Sequence, residues 1–247
     1  MIPEKSQNQE KVFSAGNINI CFPWDLPFKL TGPVVMFDIL AASFNIIYLS
    51  GITSELWVVS NDTVHMALEK INDAVLVGES TDPRLHQKFS VTNNPVDIVN
   101  ANLKSKKVIL ITNNGTQTLG ELWTKGARPV IIGHYVNSNA VIKYLRNNYA
   151  ESAGISLVPS GGREEVFHAD PNLKEDLYCA QAYADLLAGN NPDYNSLFEK
   201  SRESFAIQYP PTSQPTPAQL SLIFQIAKYD TVPICRKESS GILQVVS

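Results

Sequence analysis

Val108-Ile-Leu-Ile-Thr-Asn-Asn-Gly-Thr-Gln-Thr-Leu119 decides how the chain is read. Val108 to Ile111 is an apolar run of strand length. It breaks into Thr112, Asn113, Asn114 and Gly115, and a helical pattern follows at Leu119, Leu122 and Trp123. Strand, polar glycine turn, helix is the unit of an open α/β sheet, in which ligands sit at the carboxyl ends of strands beside helix N-termini. Gly115 can adopt a positive φ or let a ligand approach the backbone, and the Thr116 hydroxyl can cap the helix. A plain capped turn explains the stretch equally well on its own.

Working outward, the same alternation recurs on both sides. Strands are expected at 17–22, 34–37, 56–59 and 74–77, with helices at 39–49, 63–71 and 95–103 between or after them. Beyond the central unit come strands at 129–133 and 155–158, and helices at 140–149, 173–187, 194–205 and 218–227. Two short strands around Gly241 close the chain. Repeated strand–helix alternation predicts a mostly parallel sheet flanked by helices. Residues 1–15 read as a polar leader and 16–247 as a single α/β domain, built from two lobes of one sheet system. The polar segment 80–94 is the longest connection, and loops of that length are usually functional or mobile.

Composition narrows the function classes. The 247 residues are long enough to bury a sizeable core, and 44% hydrophobic with 18% charged residues is ordinary for a globular protein. A net charge of -4 offers no electrostatic case for nucleic acid or acidic lipid. No apolar run reaches membrane-spanning length, and the N-terminus lacks a basic region followed by an apolar stretch. Cys21, Cys179 and Cys235 are odd in number, far apart and without a Cys-x-x-Cys spacing, which points to free thiols and a cytoplasmic setting. The Pro-punctuated C-terminal third is the place where a homo-oligomer contact is expected.

Four polar features fall at expected strand ends: Asp38, Gly78-Glu79, Asn113 to Thr116, and His134 to Asn137. Parallel strands would gather them on one edge of the sheet, within reach of Glu175 and Asp176 at the start of their helix. Carboxylates with amide and hydroxyl oxygens suit Mg²⁺, which takes few protein carboxylates and keeps waters. Such an ion can bind a phosphate oxygen and activate water. Each position also has a plain role. Asp38 and Asn137 are good helix caps, Glu79 is a solvated loop carboxylate, and Glu175 and Asp176 favour a helix N-terminus by dipole. His134 alone of the four histidines stands at a strand end. No Gly-x-Ser-x-Gly elbow and no nucleotide P-loop occur. Leu40 stands where haloacid-dehalogenase phosphatases carry their second Asp. Ser160-Gly-Gly-Arg163 reads as an anion-binding turn or a flexible loop.

Taken in order, six segments resemble the ComB family of 2-phosphosulfolactate phosphatases. They are Val34-Val-Met-Phe-Asp-Ile-Leu40, Leu76-Val-Gly-Glu79, Asn93-Asn-Pro95, Thr112-Asn-Asn-Gly-Thr-Gln-Thr-Leu119, Asn137-Ser-Asn-Ala-Val141 and Glu175-Asp-Leu-Tyr-Cys-Ala180. The resemblance implies an α/β fold and Mg²⁺-dependent hydrolysis of a phosphate ester on a small sulfonated acid, with coenzyme M biosynthesis as the usual setting. It implies catalytic roles for Asp38, Glu79, Glu175 and Asp176, with Asp38, Glu79 and Asp176 as metal ligands. Asn93, Asn114, Gly115, Thr116 and Asn137 are then the expected substrate contacts.

The chain also departs from the family pattern. Ala41 and Gln117 stand where the family carries Arg, Ser90 where it carries an acid, and Pro159-Ser-Gly161 where it carries Cys-Ala-Gly. Arg binds phosphate, sulfonate and carboxylate in bidentate geometry that Ala and Gln cannot reproduce. Each lost charged hydrogen bond is worth about 1.5–3 kcal/mol. Two such losses weaken the family's own substrate by roughly a hundredfold or more. Lys88, Arg84 and Arg163 are the cations available to compensate. The expectation is therefore a phosphatase acting on 2-phosphosulfolactate or a related phosphorylated acid, with a catalytically impaired homologue as the alternative.

Overall fold

The computed structural model describes residues 12–26, 30, 32–112, 114–160, 174–237 and 242–247. Nine strands among them form one mixed sheet. They are β1 (Ile18–Ile20), β2 (Val34–Phe37), β3 (Glu55–Val59), β4 (Val75–Gly78), β5 (Lys107–Ile111), β6 (Val130–Gly133), β7 (Ile155–Pro159), β8 (Ile234–Lys237) and β9 (Leu243–Val246). The order across the sheet is β1-β7-β2-β6-β8-β9-β3-β5-β4. The helices are α1 (Ala42–Ser50), α2 (Val64–Lys70), α3 (Pro95–Asn100), α4 (Asn114–Thr124), α5 (Ser138–Asn148), α6 (Glu175–Leu187), α7 (Tyr194–Gln208) and α8 (Pro217–Ile223).

Every residue of β2, β6 and β7 is buried, as expected of parallel strands covered on both faces. The sheet consists of two parallel blocks. One is β1-β7-β2-β6 and the other β3-β5-β4. The C-terminal hairpin β8-β9 joins them through three antiparallel pairings, β6 with β8, β8 with β9 and β9 with β3. Three reversals make the two blocks run in opposite directions. The sheet is therefore mixed, parallel within each block and antiparallel between them. A sequence pattern fixes which residues form strands, but the hairpin between the blocks sets their relative direction.

Local chemistry explains the element boundaries. α1 begins at Ala42, later than the expected Ile39, because Asp38 to Ala41 form a tight turn. In it the Ser43 N–H donates to the Asp38 carbonyl at 2.8 Å and the Ala42 N–H to Asp38 Oδ1 at 3.3 Å. Asn94 caps α3 through Oδ1 on the Val96 N–H, with Pro95 at the first helical position. The long connection 80–94 is not loose. It carries a 3₁₀ turn at Pro83–Lys88, buries Leu85 completely, and lays Val91 beside Val77 of β4. Of the polar leader and the Ser160–Arg163 turn, residues 1–11 and 161–163 lie outside the described residues, as do His168 and Gly241. No helix among the described residues is long and apolar enough to cross a membrane. Cys21, Cys179 and Cys235 are free thiols.

Candidate active site

The site is built around Asp38. β2 delivers it into the interior, where the residue is 7% exposed. The turn around it is held from several sides. The Asp38 N–H donates to Ser43 Oγ at 2.8 Å, and the Ile39 N–H donates to Asp176 Oδ1 at 2.7 Å. Nε2 of His134 lies 3.2 Å from the Ile39 carbonyl, while its Nδ1 accepts from the Val136 N–H at 3.2 Å. That pattern makes Nε2 the protonated nitrogen of a neutral ring. Burial agrees, lowering the His134 pKa to about 4. His134 therefore holds the Asp38 turn and is not a proton carrier at neutral pH.

Across from Asp38 stands the N-terminus of α4, which follows β5 in the opposing block. The backbone of Gly115 hydrogen-bonds the Asp38 carboxylate. A methyl group added to Gly115 would lie 2.9 Å from Asp38 Oδ2 and 2.8 Å from Ala42 Cβ, closer than real side chains come. The glycine is needed for close approach, and what approaches is the chain's own carboxylate. The carboxyl ends of two oppositely directed blocks thus meet at Asp38. Gly78 does a similar service for Glu79. Its φ of 120° and the nearness of the Ile111 carbonyl admit no side chain, and the Glu79 N–H donates to that carbonyl at 3.1 Å.

Electrostatics tie the carboxylates together. Burial first, and then the charges of Glu175 and Glu79, raise the Asp38 pKa to about 6, against hydrogen bonds that lower it. Glu175 is also raised by burial, although Ser204 Oγ donates to its Oε2 at 2.7 Å and Gln208 Nε2 donates to the same oxygen. Tyr209, at the end of α7, was not legible as a site residue. Burial and the charges of Glu175, Asp38, Asp176 and Glu79 push its phenol up, so it stays a neutral donor beside the acids.

The expected residues divide into those at the site and those that build it. Asp38, Gly115 and Thr112 lie together, and the charge of the exposed Glu79 is felt there. Asp176 is a clamp on the turn. No group of three His, Cys, Asp or Glu among the described residues is placed to hold a metal, and Asp176 Oδ1 is engaged by the Ile39 N–H. Asn137 is held within the fold. Its Oδ1 accepts from the His134 N–H at 2.9 Å and the Tyr183 hydroxyl at 3.0 Å, and its Nδ2 donates to the Ile132 and Thr231 carbonyls at 3.1 Å each. Fully buried and engaged at both ends of its amide, it locks the turn after β6 and is not offered to a ligand. Thr116 does not cap α4 but lies inside it, its hydroxyl donating to the Thr112 carbonyl. Asn93 accepts from Asn45 Nδ2 through both its carbonyl and its Oδ1, at 2.9 Å each. Asn114 opens α4, and its side chain lies outside the described residues.

The family departures have structural counterparts. Ala41 is buried at the mouth of the Asp38 turn, 7% exposed, while Gln117 faces solvent and donates to Glu121 Oε1 at 3.4 Å. Of the compensating cations, Arg84 is 78% exposed and pairs with Asp82 at 2.7 Å, and Lys88 is exposed. Arg163 lies outside the described residues.

Comparison with known proteins bears on the family of the chain. The family model described as 2-phosphosulpholactate phosphatase matches residues 25–210. A protein of Caldicellulosiruptor saccharolyticus named "Probable 2-phosphosulfolactate phosphatase" is 24% identical over 170 residues, 63% of this chain and 67% of the relative. Proteins of the same name from Thermotoga maritima and Clostridium perfringens (strain SM101 / Type A) are 28% and 34% identical over 114 and 113 residues. Those stretches are 46% of this chain in each case, and 48% and 41% of the relatives. The chain thus covers about two thirds of the first relative and less than half of the other two.

Proposed function

The chain belongs to the 2-phosphosulpholactate phosphatase family, and from that premise we propose that it hydrolyses a small phosphorylated acid with Mg²⁺ at Asp38. The observation that carries the reading is the meeting of strand ends at Asp38. A buried carboxylate, a close-packed glycine turn and further acids adjoin where the two blocks face each other.

The donor chemistry fits the ion in its usual mode. Mg²⁺ is bound through one or two carboxylates, with waters and substrate phosphate completing the shell. Asp38 is the principal ligand in this reading, with Glu79 reaching from the opposing block. The buried Thr112 hydroxyl, which has no hydrogen-bond partner among the described residues, lies near Asp38 and supports an occupant at this point. When bound, the ion supplies Lewis-acid polarisation of a phosphoryl oxygen.

The protein's own groups do the rest. In hydrolysis a water oxygen bonds to phosphorus and the bond from phosphorus to the ester oxygen breaks. The departing oxygen takes a proton from solvent. The attacking water gives up its proton to solvent, and Asp38, its pKa raised only to about 6, is ionised at neutral pH as a metal ligand must be. Asp176 and His134 keep the carboxylate aimed, and Tyr209 offers a neutral hydrogen-bond donor to the anionic ester. Ala41 and Gln117 in place of arginines favour a substrate with fewer anionic groups than the family's sulfonated acid.

The test is release of inorganic phosphate from a panel of small phosphorylated acids, 2-phosphosulfolactate among them, with and without Mg²⁺. Metal-dependent turnover of at least one acid is the expected result. Absence of turnover across the panel, at enzyme concentrations that detect a few turnovers per hour, would favour a homologue that has lost catalysis.

A further inference from the structure

We propose that Thr112 is an oxygen ligand of the divalent cation at Asp38, a role that rests on the phosphatase reading and gives its metal site a second kind of donor. Thr112 ends β5 and is 2% exposed, yet its Oγ1 has no hydrogen-bond partner among the described residues. Buried hydroxyls are almost always paired, and one left unpaired costs stability, so its retention calls for an explanation.

The backbone of Thr112 is already engaged, its carbonyl taking the Thr116 hydroxyl, which fixes the residue against the first turn of α4. Its Oγ1 lies 3.4 Å from the point where a Gly115 Cβ would stand, and Asp38 Oδ2 lies 2.9 Å from the same point. The hydroxyl and the buried carboxylate therefore lie on the same side of the glycine, close to each other.

A cation accounts for both features. A hard cation takes a carboxylate oxygen and a hydroxyl lone pair together, as a glycine-rich phosphate loop does with its Ser or Thr on Mg²⁺.

The experiment is calorimetric titration of the full chain with Mg²⁺ alone, on the natural protein, Thr112→Val and Thr112→Ser, with melting temperatures of each metal-free protein. Valine keeps the shape and removes the hydroxyl, while serine keeps the hydroxyl. Thr112→Val is expected to bind Mg²⁺ at least tenfold more weakly, and Thr112→Ser within threefold of the natural protein. Metal-free Thr112→Val is expected to melt at the same temperature or higher, because it loses a buried polar atom without a partner. Equal Mg²⁺ affinity in Thr112→Val overturns the proposal, as does a natural protein that binds no Mg²⁺. A Thr112→Val melting point several degrees lower also overturns it, because the hydroxyl then has an internal partner. Phosphate release on the same samples separates the two readings. Thr112-dependent Mg²⁺ binding without turnover of any ester supports the metal site while sinking the phosphatase reading. Turnover indifferent to Mg²⁺ overturns the metal site and leaves hydrolysis standing.

Discussion

The two parallel blocks of the sheet meet at Asp38 on unequal terms. The block β1-β7-β2-β6 supplies the acid and fastens it. Ser43, Asp176 and His134 all hold the turn from Asp38 to Ala41, and Asn137 and Tyr183 lock the neighbouring strand end. The block β3-β5-β4 arrives with less fastened chemistry. It brings the exposed Glu79, the backbone of Gly115 and a buried Thr112 hydroxyl that has no hydrogen-bond partner among the described residues. One side is fastened by many hydrogen bonds and the other offers a hydroxyl without a partner among the described residues, as expected where a rigid support meets a place for a ligand.

The contrast is broken most severely at its rigid side. Replacing Asn137 by Ala strands the Ile132 and Thr231 carbonyls and removes an acceptor from His134 N–H and Tyr183. A loss of about 3–5 kcal/mol in urea unfolding is expected, since each stranded buried group costs about 1–3 kcal/mol. A loss under about 1 kcal/mol would mean the turn does not depend on that amide.

Next in size is a pH effect with opposite signs in two buried groups. His134 has its folded pKa lowered from 6.5 to about 4, so its contribution is complete above 6.5 and is lost as pH falls through that window. The linked free energy is about 3 kcal/mol. Asp38 runs the other way. Its folded pKa is raised from 3.8 to about 6, so its favourable contribution is complete below 3.8 and is lost as pH rises through about 6. Titration of the metal-free protein by NMR checks both. The His134 ring should remain neutral down to pH 5, and the Asp38 carboxyl should titrate near 6. A ring that protonates near 6.5 would contradict its role as a neutral clamp.

Asp176→Asn sharpens the distinction between clamp and ligand. It retains an acceptor for the Ile39 N–H but removes charge, so turnover is expected to fall only about tenfold, or about 1.4 kcal/mol. Mg²⁺ affinity should stay within threefold. A collapse of Mg²⁺ binding would return Asp176 to the ligand set. The smallest effect belongs to Arg84→Ala. That guanidinium is 78% exposed and paired with Asp82, and surface pairs of this kind carry little, so turnover should stay within twofold.

Much of this fold was legible in the sequence because its strands are short apolar runs bounded by polar turns. Val34–Phe37 and Val130–Gly133 are legible as unbroken runs without a polar side chain, and all of their residues are buried. Asp38, Glu79 and Gly115 were legible as strand-end polar groups. The relative direction of the two blocks was not, since only the pairing of β8 and β9 with distant strands sets it. Nor was the division of labour. Asn137 and Asp176 carry ligand-type side chains, and only their hydrogen bonds reveal that they brace the backbone. Tyr209 follows a helix end with no motif around it, and Thr112 is conspicuous only for what it fails to contact.

Asp38→Asn, assayed for Mg²⁺-dependent phosphate release on whichever phosphorylated acid the natural protein turns over, tests the central claim most directly. The variant keeps the shape of the turn, and in metal-free buffer at pH 8 it should melt no lower than the natural protein, since it buries no charge. With folding so controlled, turnover should fall at least a thousandfold, or about 4 kcal/mol of barrier. Turnover within tenfold of the natural protein would contradict the placing of the chemistry at the junction of the two blocks.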